Sequence, residues 1–152
     1  DRSYTGVFDF NIPTPRKWLH PVGFCALGNA LPNAIGVKMA LPMTPVAVLV
    51  GDGGFMFSMP ELLTAKEQNL SLPIIIWENG GYKQIQDDMG VMKIDRVGVE
   101  GLNPDFIQLA KSCHCEAVYA DSAEVFMKAF KNALSTNSPT IILVQENDDW
   151  LN

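Results

Sequence analysis

The chain is 152 residues long, 47% hydrophobic and 18% charged, and its 11 Lys+Arg against 17 Asp+Glu leave a net charge of −6. This is the length of one domain with an ordinary globular composition, which speaks against disorder, and no apolar run approaches the roughly 18–20 residues of a membrane span. Excess acid without a Lys/Arg block speaks against nucleic acid or a membrane as partner, so any anion must be held locally by backbone dipoles or a metal.

Asp1 to Val22 read as irregular, because Pro13, Pro15 and Pro21 interrupt regular backbone. From Leu27 to Leu41 the small apolar residues Gly28, Ala30, Ala34, Gly36 and Ala40 predict a closely packed, buried helix ended by Pro42. The run from Pro45 to Val50 predicts a strand buried on both faces, the signature of a parallel sheet. Ser58-Met-Pro-Glu61 is a capping-box pattern, with the Ser58 hydroxyl and the Glu61 carboxylate satisfying each other's backbone N–H groups, and it opens a helix running to about Asn69. Pro73 to Trp77 is a second buried strand. Asn103-Pro104-Asp105 places Asn103 as the N-cap of a helix carrying Phe106, Ile107, Leu109 and Ala110. Ala117 to Tyr119 is a short strand, and Asp121-Ser122 caps a helix whose apolar stripe is Val125, Phe126, Ala129, Phe130 and Ala133. Thr140 to Val144 is the last strand.

Strands alternating with helices predict an α/β fold: one domain with a doubly wound, mainly parallel sheet and helices on both faces. Such sheets take ligands in the crevice beyond the carboxyl ends of their strands, which points to the loops after Val50, Trp77 and Val144.

Three cysteines, Cys25, Cys113 and Cys115, are an odd number without framework spacing, so a reducing cytoplasm is the expected compartment. Cys113-His114-Cys115 has the wrong spacing for a zinc half-site and no second Cys/His pair to complete one, which favours a structural role. The chain opens at Asp1 without Met or a signal-peptide pattern and reads as a piece of a longer protein.

The first chemistry-bearing loop is Gly51-Asp52-Gly53-Gly54-Phe55. Its glycines let the backbone approach a ligand without an intervening Cβ, and the amides from Gly53 onward suit a phosphate. Asp52 would repel that phosphate unless a divalent cation lay between them, and Mg²⁺ fills this role with carboxylate and phosphate oxygens. The second loop, Glu78-Asn79-Gly80-Gly81-Tyr82, follows the next strand, with Asn79 27 positions after Asp52. One βαβ crossover therefore sets Asn79 beside Asp52, where its amide oxygen and a carbonyl of the Gly80-Gly81 turn can reach the same ion. Taken singly, Asp52 is also an ordinary turn aspartate, and Asn79-Gly80-Gly81 an ordinary turn. Tyr82 and Gln84 read equally as substrate-facing residues or the start of a helix. A P-loop is absent, and Met56 stands where a dinucleotide fingerprint needs its third glycine.

Gly-Asp-Gly, the spaced Asn after a hydrophobic strand, the upstream Leu31-Pro-Asn-Ala-Ile-Gly36 and the downstream Asp105-Phe-Ile-Gln-Leu-Ala110 together resemble the C-terminal diphosphate-binding domain of thiamine-diphosphate-dependent enzymes, in the acetolactate synthase and benzoylformate decarboxylase group. The likeness runs from about His20 to Glu146. It implies Mg²⁺ ligation by the Asp52 carboxylate, the Asn79 amide oxygen and the Gly81 carbonyl. It sets Gly51, Gly53, Gly54 and Phe55 along the diphosphate, and Tyr82 beside the cofactor. It also implies that the Cys25 carbonyl accepts from the aminopyrimidine and that Leu27 wedges the cofactor into its bent form, although a leucine here also reads as core. Two positions depart from the family: Glu78 stands where Asn is usual, and Cys25 where Gly is common.

The function implied is a 2-keto acid decarboxylase or carboligase resembling acetolactate synthase. A non-oxidative decarboxylase of the benzoylformate or indolepyruvate type is the alternative within the enzyme class, and a non-catalytic cofactor-binding module the alternative outside it. The glutamate that activates the cofactor comes, in this family, from a separate N-terminal domain, usually of a neighbouring subunit, so no catalytic residue is assigned in this chain. A homo-oligomer with shared active sites is therefore expected, a 2-keto acid is the small-molecule partner, and FAD enters only through a middle domain outside this sequence.

Overall fold

The structure is a computed structural model describing residues 17–20, 23, 24 and 26–151; the Cys25 assignment and most of the segment before Val22 lie outside the described residues. Its core grows from two β-branched runs. Leu72–Glu78 forms β2 and Pro139–Gln145 forms β4, paired in parallel with Leu72 opposite Pro139 and Glu78 opposite Gln145. Val48–Gly51 forms β1 beside β2, and Glu116–Tyr119 forms β3 beside β4, so the sheet is parallel throughout in the order β1-β2-β4-β3.

Because side chains alternate along a strand, β4 feeds two layers. Ile141 and Leu143 enter one core with Ile74 and Ile76 of β2, while Ile142 and Val144 enter the other with Ile75 and Trp77. The first core is covered by α1 (Ala30–Ala40), α2 (Asp52–Met56), α3 (Glu61–Glu67) and α5 (Phe106–Ser112), through Leu31, Ile35, Phe55, Leu62 and Phe106. The second is covered by α6 (Ala123–Ala133), whose Phe126 and Phe130 stack at 6.0 Å, and by Trp150 of a short 3-10 turn, Asp149–Leu151. Helices thus lie on both faces of a parallel sheet, the predicted doubly wound α/β fold.

Four predicted details change. The first helix starts at Ala30 rather than Leu27, because Gly28 takes a left-handed φ of 85° that a helix cannot include. It buries one face only, Leu31, Ala34 and Ile35. β1 starts at Val48 rather than Pro45; its pairing with β2 begins just past Pro73, which has no N–H to donate, and as the outer strand it is only half-buried. Ser58 forms no side-chain cap: the residue before α3 is Pro60, already in helical backbone, whereas a capping side chain needs extended backbone there, and it is the Ser58 carbonyl that accepts from Glu61 N–H at 3.0 Å. The fourth difference is α4 (Lys83–Met92), a helix that Tyr82 precedes and that takes in Gln84.

Candidate functional site

In a parallel sheet all carboxyl ends share one edge, so the loops after β1, β2 and β4 emerge together. Gly51 lies opposite Trp77, and Glu78 opposite Gln145. At this edge α2 begins directly at Asp52, with Gly51 extended (φ −74°, ψ 157°) as its N-cap. This turn drives the Asp52 side chain inward to 1% exposure.

A buried carboxyl group must be surrounded by donors, and Asp52 is. Its Oδ1 accepts from Gly53 N–H at 2.8 Å. Its Oδ2 accepts from the backbone N–H groups of Gly80 at 2.8 Å, Gly81 at 3.0 Å and Asn79 at 3.3 Å, and from the Asn103 side-chain amide at 2.8 Å. The second predicted loop is therefore wrapped around the aspartate of the first. The glycines make that wrap feasible: Gly80 and Gly81 have φ of 81° and 125°. A Cβ on Gly81 would stand 2.7 Å from the Val99 carbonyl oxygen. Gly53 is closed in from the other side, where a Cβ would meet the Tyr82 ring at 2.8 Å and come within 3.6 Å of the Gly81 carbonyl oxygen.

Of the residues singled out in the sequence, Gly51, Asp52, Gly53, Asn79, Gly81 and Tyr82 thus fall in one cluster. Gly54 is half-buried beside Gly53. Phe55 contributes only its backbone to this edge, since its side chain is in the core, edge-on to Phe106 at 5.8 Å. Leu27 is 48% exposed, which rules out plain core packing; it sits in the turn whose Gly28 lies against Phe57, just beyond α2. Tyr82 precedes α4, and its N–H donates to the Val99 carbonyl at 3.1 Å.

Sequence reasoning missed Asn103. It was assigned to cap the following helix, but the cap is Asp105, whose carboxyl accepts from Gln108 N–H at 2.9 Å and is held below its ordinary pKa mainly by that backbone bond. The signal was present: Asn103 and Asp105 are two capping residues for one helix, which leaves one free. Away from this edge, Cys115 faces the core, with its thiol donating to the Cys113 carbonyl at 3.3 Å. Burial pushes that thiol up to about 11. Among the described residues no helix is long and apolar enough to cross a membrane.

Fold and site together define a class: parallel α/β domains that gather oxygen ligands and glycine amides at the carboxyl edge of the sheet, where phosphorylated cofactors bind. Residues 3–144 match the family described as thiamine pyrophosphate enzyme, C-terminal TPP binding domain, and the chain belongs to it. A probable 2-ketoarginine decarboxylase of Pseudomonas aeruginosa, AruI, is 45% identical over 114 residues, covering 74% of this chain and 20% of that protein. A probable acetolactate synthase large subunit of Methanococcus aeolicus is 35% identical over 136 residues, covering 88% of this chain and 22% of that protein. Among solved structures, the thiamine-diphosphate-dependent 4-hydroxybenzoylformate decarboxylase of Rhodococcus jostii RHA1 superposes with a TM-score of 0.74 at 32% identity, over 81% of this chain and 24% of that one. The chain therefore spans only about a fifth to a quarter of the length of these relatives. The family expected from the motifs is the family found.

Proposed function

We propose that this domain carries the diphosphate of thiamine diphosphate through Mg²⁺, held by the Asp52 carboxylate, the Asn79 amide oxygen and the Gly81 carbonyl, within an enzyme that decarboxylates a 2-keto acid. The observation that carries this reading is the convergence of the Asn79, Gly80 and Gly81 N–H groups on Asp52. It brings two loops 27 residues apart to one point at the carboxyl edge of the sheet. The proposed oxygen donors, one a carboxylate, suit a hard cation that keeps phosphate oxygens among its ligands. The backbone of Gly53, Gly54 and Phe55 then lies along the diphosphate, with Gly51 and the Tyr82 ring bounding it. On the family resemblance, the Cys25 carbonyl would accept from the aminopyrimidine and Leu27 would wedge the cofactor into its bent form.

When bound, the cofactor supplies the electron sink for carbon–carbon cleavage, and this domain's residues bind and orient it. The activating glutamate comes from another domain, in an oligomer whose subunits share active sites. Simple decarboxylation is favoured over carboligation because the 45%-identical relative and the 32%-identical solved structure both carry decarboxylase names. Carboligation is the second reading, on the 35% identity to an acetolactate synthase across 88% of the chain. FAD would enter only through a further domain.

Calorimetric titration of thiamine diphosphate into the full-length protein tests the site. Binding should require Mg²⁺ and should disappear in Asp52→Ala. Undiminished binding in that variant, or without a divalent cation, would falsify the site. Product analysis with a panel of 2-keto acids separates aldehyde release from carboligation.

A further inference from the structure

Asn103 is half-buried, and its side-chain nitrogen lies 2.8 Å from Asp52 Oδ2 and 3.0 Å from Glu78 Oε1. Both neighbours are carboxylate oxygens, which accept only, so the amide orientation is fixed by chemistry: the atom between them is the nitrogen, and its two N–H bonds serve one carboxylate each. Glu78 is the residue that departs from the family's usual Asn. Its second oxygen accepts from Gln145 Nε2 at 3.4 Å, and its backbone carbonyl accepts from Glu146 N–H at 2.9 Å. Asn103 therefore joins the ends of β1 and β2 directly, and the end of β4 through Glu78.

Its own position is set from outside the sheet. The segment before it folds back along the second loop: Tyr82 N–H and Gln86 Nε2 both donate to the Val99 carbonyl, at 3.1 and 2.8 Å, and Gly81 and Glu100 form an antiparallel bridge. With Asp105 capping the next helix, nothing local competes for the Asn103 amide.

We propose that Asn103 is a positioning residue of the cation site, orienting the Asp52 carboxylate by tying it to the Glu78 carboxylate at the end of β2. This inference rests on the Mg²⁺-diphosphate reading and deepens it. Groups that orient metal ligands through hydrogen bonds commonly change metal affinity by about 10–100-fold when removed. Asn103→Leu keeps the bulk and removes both donors.

The measurement is the half-saturating Mg²⁺ concentration for thiamine diphosphate binding to the full-length protein, followed by calorimetry, with Asn103→Leu, Glu78→Gln and the double variant forming a cycle. Asn103→Leu should raise that concentration about 10–100-fold. In the Glu78→Gln background the same change should cost several-fold less, because the carboxylate to which it ties Asp52 is gone. An effect below about twofold, or an equal effect in both backgrounds, overturns the proposal; a lowered Tm with unchanged Mg²⁺ dependence overturns it too, by showing a merely structural role. If Asn103→Leu does not fold, Asn103→Ser takes its place, since one hydroxyl donor serves at most one carboxylate. Asp52→Ala separates the two failures. Loss of binding there with an innocent Asn103 sinks this inference alone, whereas intact binding there sinks the site.

Discussion

At the scale of single residues, burial decides what each titratable group can do. Cys115 lies inside the first core, and desolvation pushes its thiol up to about 11 from an ordinary value of 9.0, with the Cys113 thiol nearby adding to the rise. The proton is therefore retained in the folded chain at pH values where the unfolded chain loses it. The contribution to stability is complete below pH 9 and disappears as the pH rises through about 11. Urea midpoints measured across this interval should fall, and Cys115→Ala should flatten that decline. The same protonation makes Cys115 inert toward iodoacetamide at pH 8 in the folded protein. Asp52 is the chemical opposite: it is as buried as a core leucine, yet its two oxygens accept from five N–H groups.

Elements differ in how openly their residues announce them. The Ser122 hydroxyl accepts from Val125 N–H at 3.3 Å and caps α6, so Ser122→Ala should cost about 1 kcal/mol by urea denaturation. The superficially similar Ser58 makes no such bond, and its replacement should show no capping loss. β2, β4 and α6 were legible in the sequence because burial imposed their patterns: continuous β-branched runs for strands covered on both faces, and a one-sided apolar stripe for a helix covered on one. The helix α4 was not legible, because its pattern points the wrong way. Ile85, Val91 and Met92 are exposed, and the residue it buries is Gln86, which reaches the Val99 carbonyl. The candidate site divides along similar lines. Asp52 and Asn79 could be paired from their spacing, since one crossover joins neighbouring parallel strands. Asn103 reaches the same point through a segment folded back on the loop, and no periodicity records that fold.

For the whole molecule, the parallel sheet separates architecture from chemistry. The two cores lie along the strands, and the clustered loops lie beyond their carboxyl ends, so an edge residue such as Glu78 belongs to neither core. The chain covers only a fifth to a quarter of its relatives' length, and on the proposed reading the activating glutamate lies outside it. The 152-residue domain alone should release no CO₂ from pyruvate or larger 2-keto acids even with Mg²⁺ and thiamine diphosphate present. Turnover by the isolated domain, measured as CO₂ release, would refute the division of the active site between domains.

Trp77 ends the alternation of β2 one residue before Glu78, half-buried in the second core, with its indole N–H donating to Glu146 at 3.1 Å. An indole's emission depends on the charges and water around it, so loading the adjacent edge with a cation and a diphosphate would be read optically from inside the molecule. The other two tryptophans in the sequence, Trp18 and Trp150, are outside the β1 and β2 loops. With both replaced by phenylalanine, Trp77 is the one indole left in this sequence, and on the proposed reading its emission would report occupancy of the edge with no label attached.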